Sequence, residues 1–121
     1  MIDRQELTSA TVNQLLSLYV DAASAHLRAS KQGDHKRANP QHDIVAAAYR
    51  ELRERGEEAA LLPLLAHADP GVRSWAGAHA LEFSPRAGEK VLEELTAEPG
   101  PVGFNAQMTL ETWRGGELRF P

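Results

Sequence analysis

The sequence contains no cysteine, which excludes disulfide bonds, thiolate catalysis and cysteine-ligated metal sites. Aromatic residues are also scarce, at 6% of 121 residues. No apolar run approaches the length of a membrane-spanning helix, and the first residues, MIDRQE, lack the apolar core of a signal peptide. These absences are typical of proteins in a reducing compartment, so we expect a cytoplasmic protein with no membrane partner.

An excess of basic residues is missing as well. The chain has 13 Lys and Arg against 17 Asp and Glu, a net charge of -4 with a pI near 5.7. This balance argues against nucleic acid as the main partner and is compatible with a basic protein partner. Because 121 residues suffice for one core but not two, we predict a single domain over residues 1–121. Its ends, about 1–8 and 117–121, are predicted to be loosely held.

Apolar residues recur at helical spacing throughout the chain. No stretch sustains the alternation of a strand, and alanine is common where β-branched residues would mark a sheet. The sequence therefore predicts an all-α protein of about six helices. The polar segment 31–43 is predicted to be a long loop, and Pro63 is expected to bend its helix. The predicted helices cover about 11–30, 40–55, 57–67, 70–83, 85–97 and 101–115.

The strongest pattern lies in residues 61–81, LLPLLAHADPGVRSWAGAHAL. Asp69 can cap the exposed N–H groups of the following helix, and Pro70 fits the first helical position, which needs no donor. Val72, Ala76 and Ala80 then recur at i, i+4 and i+8, which is one face of a helix. Small residues on that face permit a close approach of neighbouring helices.

These residues resemble a known repeat. Asp69 to Arg73, followed by Ala76-Gly77 and Ala80-Leu81, is similar to the second helix of a HEAT-type repeat, and residues 61–65 are similar to the end of its first helix. As a whole, residues 8–118 resemble a small bacterial family of single-domain proteins with HEAT-like packing and no established activity. The resemblance implies a short right-handed α-α superhelix of three HEAT-like hairpins.

A shift of 30 residues gives the best internal register, placing Val72 on Val102 and Ala76 on Ala106. The register departs from the repeat where Gly103 replaces Arg73, as terminal repeats commonly do. In the resembled repeat, this arginine lies inside the stack and pairs with an acidic residue. Asp69, four residues earlier, is suitably placed for that role.

A second face of the helix over 70–83 is predicted to form a binding surface. At 100° per residue, Trp75, His79 and Glu82 lie on the side away from Arg73 and Ala80, and the internal register adds Asn105 and Thr109. In a HEAT-like stack, these side chains would line a groove formed by the second, fourth and sixth helices. The alternative is that Trp75 packs in the core, because tryptophan is usually largely buried.

Catalytic and metal sites are not predicted. His35, His42 and Asp43, like His67 with Asp69, lack metal-ligand spacing, and no cofactor is expected. No nucleophile elbow or carboxylate pair is recognisable. The basic residues within 31–37 are interpreted as a solvated connection rather than a phosphate-binding loop.

The sequence therefore favours a non-enzymatic protein-binding module. Small acidic HEAT-like proteins of bacteria can serve as immunity proteins against secreted toxins, so a basic toxin is one concrete partner. Two alternatives stay open. One is a small enzyme or an accessory to cofactor attachment, since some short helical repeats act as lyases on bilin chromophores. The other is a homodimer that uses the surface around Trp75 as its interface.

Overall fold

The computed structural model describes residues 3–121, which form seven helices and no strand, so the all-α prediction is confirmed. The helices are α1 (Arg4–Ser9), α2 (Val12–Lys31), α3 (His35–Glu54), a 3-10 helix (Glu58–Ala66), α4 (Pro70–Phe83), α5 (Pro85–Leu95) and α6 (Pro101–Arg114). Their contacts divide the chain into two compact units, Met1–Leu61 and Leu62–Pro121, which we describe separately. The prediction of one domain stays a prediction.

In the first unit, the two longest helices, α2 and α3, pack against each other. Their core contains two tyrosines, Tyr19 and Tyr49, whose side chains are almost completely buried. Burial raises the pKa of the Tyr19 hydroxyl well above its usual value, and the neighbouring Tyr49 raises it further. The guanidinium of Arg53 lies 5.4 Å from the centre of the Tyr49 ring. The remaining buried apolar side chains of these helices are Leu15, Ala22, Ala23, Leu27, Ala29, Ala38, Val45, Ala48 and Leu52.

The prediction of a long loop over 31–43 is wrong, because α3 begins at His35 rather than near Pro40. The Asp34 side chain accepts a hydrogen bond from the Arg37 amide at 3.2 Å and so caps the helix one and a half turns before the proline. Gly33, with φ of 68°, turns the chain between α2 and α3. Pro40 therefore lies inside the second turn of α3, past the first turn in which a helix has no use for the missing donor.

The N-terminal segment is also more ordered than predicted. Residues 4–9 form α1, capped by Asp3 and buried at Leu7. Arg55, at the end of α3, reaches α1 and donates from Nη2 to the carbonyls of Leu7 at 2.9 Å and Thr8 at 3.1 Å. Its Nε bonds to Glu51 at 2.8 Å, which holds the guanidinium in place. The Leu7 carbonyl also accepts from the Ala10 amide at 3.2 Å, so Arg55 adds a long-range bond to the cap at the end of α1.

Replacing Arg55 with alanine is expected to destabilise the first unit by about 1–2 kcal/mol, because both charged hydrogen bonds to α1 are lost. Hydrogen exchange should accelerate most in residues 4–9, and urea unfolding should give the free-energy change. Arg50→Ala, an exposed change on the same helix, is the matched control. Equal effects from both substitutions would show that Arg55 does not hold α1.

The segment around Pro63 is a 3-10 helix and not the bent α-helix predicted over 57–67. Its hydrogen bonds run between residues three apart at each end, from Ala60 N to Glu57 O and from His67 N to Leu64 O. Pro63 removes a backbone donor and its ring clashes with the preceding turn, so the segment does not settle into an α-helix.

In the second unit, α4 packs most extensively on α5, and α6 packs on both. This differs from the predicted hairpins, which paired the 70–83 helix with the helix before it. The predicted alanine face is confirmed, since Val72, Ala76 and Ala80 are completely buried. At the surface, Arg114 of α6 bonds two carboxylates of α5, those of Glu89 at 3.0 Å and Glu93 at 2.6 Å.

Two glycines bring α4 and α5 into backbone contact. A Cβ atom on Gly88 of α5 would lie 2.6 Å from the carbonyl oxygen of Gly77 and 2.9 Å from the amide nitrogen of Leu81. A Cβ on Gly77 would lie 2.9 Å from Cγ1 of Val91. Contact at these distances is possible only without side chains at both positions, so the glycine pair determines how closely the two helices approach.

Candidate functional site

The start of α4 is built as its sequence predicts. The Asp69 carboxylate accepts a hydrogen bond from the Gly71 amide at 2.7 Å, and Pro70 occupies the first turn. Arg73 donates from Nη1 to the carbonyls of His67 at 2.7 Å and Ala68 at 3.1 Å. It therefore attaches to the turn that precedes α4 through backbone carbonyl oxygens, and its expected pairing with Asp69 stays a prediction.

The predicted binding side chains of α4 lie at different depths. Trp75 is half-buried, His79 is 1% exposed and Glu82 is exposed. The rings of Trp75 and His79 are in contact, with centroids 5.7 Å apart. Among residues 3–121, His79 is the only buried polar side chain apart from the two core tyrosines. Trp75 and Glu82 therefore have solvent-exposed area, whereas His79 has almost none.

The C-terminal segment returns to α4 and contacts His79. Phe120 is half-buried and packs edge-on against the His79 ring, with centroids 4.7 Å apart at 65°. Gly116, with φ of 75°, turns the chain at the end of α6, and the Glu117 amide bonds to the carbonyl of Thr112 at 3.0 Å. Residues 117–121 were predicted to be loosely held; they have no regular secondary structure, yet Phe120 is packed.

The exposed face of α6 carries two large apolar side chains. Phe104 is 64% exposed and Met108 is 45% exposed, one helical turn apart. The predicted Asn105 is exposed between them, while Thr109 is half-buried. We call Phe104, Asn105 and Met108 the α6 surface.

The sequence analysis missed Phe104, although a signal was present. Phe104 lies two residues after the buried Val102, which places it about 200° around the helix and therefore away from the core. The structure thus brings Trp75 and His79 together on α4 and exposes Asn105 on α6. The predicted binding role of all five residues stays a prediction.

Two histidines of the first unit lie close together, which the sequence did not suggest. The rings of His26 on α2 and His42 on α3 are 6.3 Å apart, and His42 Nδ1 lies 3.5 Å from the Asp43 carboxylate. Burial lowers the pKa of His26, and the neighbouring His42 lowers it further. Within the described residues, no group of three or more His, Asp or Glu side chains is arranged to hold a metal ion.

The lowered pKa of His26 predicts that stability falls in acid. The unfolded chain takes up a proton at this histidine near its usual pKa of 6.5, before the folded chain does, so protonation favours unfolding below that pH. His26→Gln should remove this part of the pH dependence, and His42→Gln should reduce it. Urea unfolding at pH 7.5 and 5.5 measures the effect, with the exposed His35→Gln as control. An unchanged pH dependence in His26→Gln would contradict the assignment.

The first unit also has an open cleft between α1 and α2. Its polar lining comes from exposed side chains, and none of its lining residues belongs to the predicted binding set. The residues that line the cleft are Glu6, Ser9, Ala10, Asn13, Gln14, Ser17, Leu18 and Asp21.

No helix in residues 3–121 combines the length and apolar character needed to cross a membrane.

The fold is similar to a solved structure, the crystal structure of the protein RPA1889 from Rhodopseudomonas palustris CGA009. The two superpose with a TM-score of 0.88 over 98% of each chain, at 23% sequence identity. At this identity the likeness shows the fold alone. No family model matches the chain, and no curated protein matches it.

Proposed function

We propose that this chain is a non-enzymatic protein-binding module that contacts its partner through α4 and α6 of the second unit. The observation that carries the proposal is the α6 surface, where Phe104 and Met108 are exposed one turn apart. Single exposed apolar side chains are common, but adjacent large ones form a contiguous patch, which marks interaction sites in soluble proteins. Asn105 lies between them and supplies a hydrogen-bonding group.

The predicted residues of α4 extend this surface. Trp75 is half-buried and Glu82 is exposed on α4, which packs on α6 within the same unit. An interface with aromatic and methionine side chains at its centre and polar groups at its rim is typical of protein recognition. His79 and Thr109 then act as supports of the contact surface, because burial limits their direct access to a partner.

The partner that fits best is a basic protein. The net charge of -4 favours association with a positively charged surface. A basic toxin is the concrete form, by analogy with small acidic HEAT-like proteins of bacteria. We place the protein in the cytoplasm, supported by the absence of cysteine.

We also propose that α4, α5 and α6 belong to a HEAT-like superhelix. Three observations in the second unit support this proposal. Asp69 and Pro70 start α4 with the cap of the resembled repeat. The buried face of α4 consists of small residues and valine. Finally, α4 packs on both of the helices that follow it in the chain.

Affinity purification from the native cell with a tagged full-length chain tests the binding function. The wild-type chain should retain a stoichiometric partner, and the double variant Phe104→Ser, Met108→Ser should retain at least about ten-fold less. Leu62→Ser is the matched control, because Leu62 is the third exposed large apolar residue among those described and lies outside the α6 surface. Circular dichroism verifies that each variant is folded.

Two outcomes would contradict this proposal. Failure of the wild-type chain to retain a stoichiometric partner would remove the binding class, and equal retention by the double variant would remove the α6 surface. Sedimentation over a range of concentrations separates the homodimer alternative. If the wild-type mass rises with concentration and the double variant stays monomeric, the α6 surface joins two copies of this chain.

A further inference from the structure

The contact between Phe120 and α4 shows what kind of side chain the α4 surface accepts. The Phe120 ring meets the His79 ring edge-on at 4.7 Å, and Trp75 lies against the same histidine at 5.7 Å. Edge-on contact is the favoured arrangement for aromatic rings, because the positive ring edge faces the negative ring face. The chain itself therefore places an aromatic side chain on the helix for which sequence reasoning predicts binding.

The segment that carries Phe120 is suited to exchange. It has no regular secondary structure, and it follows a turn at Gly115 and Gly116. The Nη1 atom of Arg119 donates to the carbonyls of Gly116 at 3.1 Å and Leu118 at 2.8 Å, so these two bonds lie within the segment. Phe120 is only half-buried, which leaves its ring open to competition.

We propose that the Trp75–His79 site recognises an aromatic side chain on a partner segment, and that Phe120 is its resident occupant, displaced when the partner binds. This inference rests on the proposed function and names the chemistry that the partner presents. In the segment that now occupies the site, Arg119 directly precedes the aromatic residue. A partner segment with the same order places its cation beside α4, where Glu82 is exposed one turn after His79.

Phe120 also sets the apparent affinity of the site. A tethered occupant competes at an effective concentration in the millimolar range, since only a few residues connect it to α6. The intact chain therefore binds a competing segment more weakly than a chain whose own ring has been removed. A partner must displace Phe120, which makes recognition selective for segments that make contacts beyond the aromatic one.

The test uses the full-length variant Phe120→Ala and the peptide GELRFP, which has the sequence of residues 116–121. Titration is followed by tryptophan fluorescence and by the NMR signals of His79. The variant should bind GELRFP saturably, the wild-type chain should bind it at least about ten-fold more weakly, and the peptide GELRAP should not bind. A folded Phe120→Ala chain that does not bind GELRFP overturns the inference.

A second measurement covers the case in which Phe120→Ala does not fold. The full-length chain is prepared with 4-fluorophenylalanine at its phenylalanine positions, and the position-120 signal is assigned with a Phe120→Leu variant. Excess GELRFP should shift that fluorine signal toward the value of an exposed ring, whereas GELRAP should not. A signal that does not respond to GELRFP shows a permanent structural contact and overturns the inference.

The two proposals fail separately. If GELRFP does not bind while affinity purification still retains a partner that depends on Phe104 and Met108, the protein-binding function stands and the aromatic site is removed. If GELRFP binds Phe120→Ala but the wild-type chain retains no partner, the site is genuine and the wider binding function fails.

Discussion

Replacing Gly88 with alanine is expected to destabilise the second unit by about 3 kcal/mol or more, at the upper end of the range for overpacked cores. The added Cβ would lie 2.6 Å from the carbonyl oxygen of Gly77 and 2.9 Å from the amide nitrogen of Leu81. Both atoms belong to the backbone of α4, which cannot rotate away as a side chain can. The two helices must therefore separate, and the packing between them is lost.

Urea unfolding of the full-length chain measures this effect. Gly115→Ala is a matched control, because its Cβ would lie 3.4 Å from the nearest atom, the Glu111 carbonyl oxygen, which is ordinary contact. The control should change stability by less than about 1 kcal/mol. The loss of stability in Gly77→Ala should lie between those of Gly88→Ala and Gly115→Ala. The atom nearest to its added Cβ belongs to the Val91 side chain, which has some freedom to move. If Gly88→Ala lowers the free energy of unfolding by no more than the control does, α4 and α5 are not in backbone contact.

Gly103→Ala is the second substitution with a large expected effect, again about 3 kcal/mol or more. A Cβ at this position would overlap the Glu98 carbonyl oxygen and would lie 3.2 Å from that of Thr96. The connection between α5 and α6 runs directly against the first turn of α6, so either the connection or the helix must move. Faster hydrogen exchange in α6, together with urea unfolding, should show the change.

The sign of this effect distinguishes tertiary contact from local preference. Within a helix, alanine is intrinsically more stable than glycine by about 1 kcal/mol, so without the contact Gly103→Ala would stabilise α6. Gln107→Ala, an exposed change on the same helix, serves as control and should be nearly neutral. A stability equal to or above that of the wild-type chain would show that the connection leaves room at Gly103.

The same contact explains one of the two departures from the internal repeat, the other being Pro99 in place of Asp69. In the 30-residue register, Gly103 corresponds to Arg73, whose side chain fastens the turn before α4 through two carbonyls. At position 103 the backbone of Glu98 occupies the space that a side chain would need. The departure is therefore a steric requirement of the α5–α6 connection, beyond the general tolerance of terminal repeats.

The candidate contact surface combines residues of two kinds. Phe104 and Met108 are exposed because they lie on the side of α6 that faces away from its buried residues. Trp75 and His79, in contrast, form a site that the chain's own Phe120 contacts. The first kind offers a preformed apolar patch. Under the proposed exchange, Phe120 leaves the Trp75–His79 site before a partner side chain binds there, which adds a competition step to recognition. Comparing Phe104→Ser with Phe120→Ala thus separates affinity that comes from the patch and affinity that is limited by the resident ring.

The sequence by itself determined the helical class and the bounds of α4. Asp69 caps its first turn and Pro70 presets its backbone, while the small residues that follow form its buried face. These are interactions among residues close in the chain, so they can be read without the fold. The same reasoning failed at Pro40, because a start signal there was outranked by the Asp34 cap six residues earlier.

Tertiary structure alone decided which distant groups contact the predicted side chains. Helical phase places His79 about 20° from the buried Val72, at the edge of the alanine face, but only the fold brings Phe120, forty-one residues later, onto its ring. In the same way, Arg55 bonds the carbonyls of Leu7 and Thr8, and the backbone of α4 meets Gly88. Each contact joins residues distant in sequence, and periodicity carries no information about which distant group will occupy the space beside a given side chain.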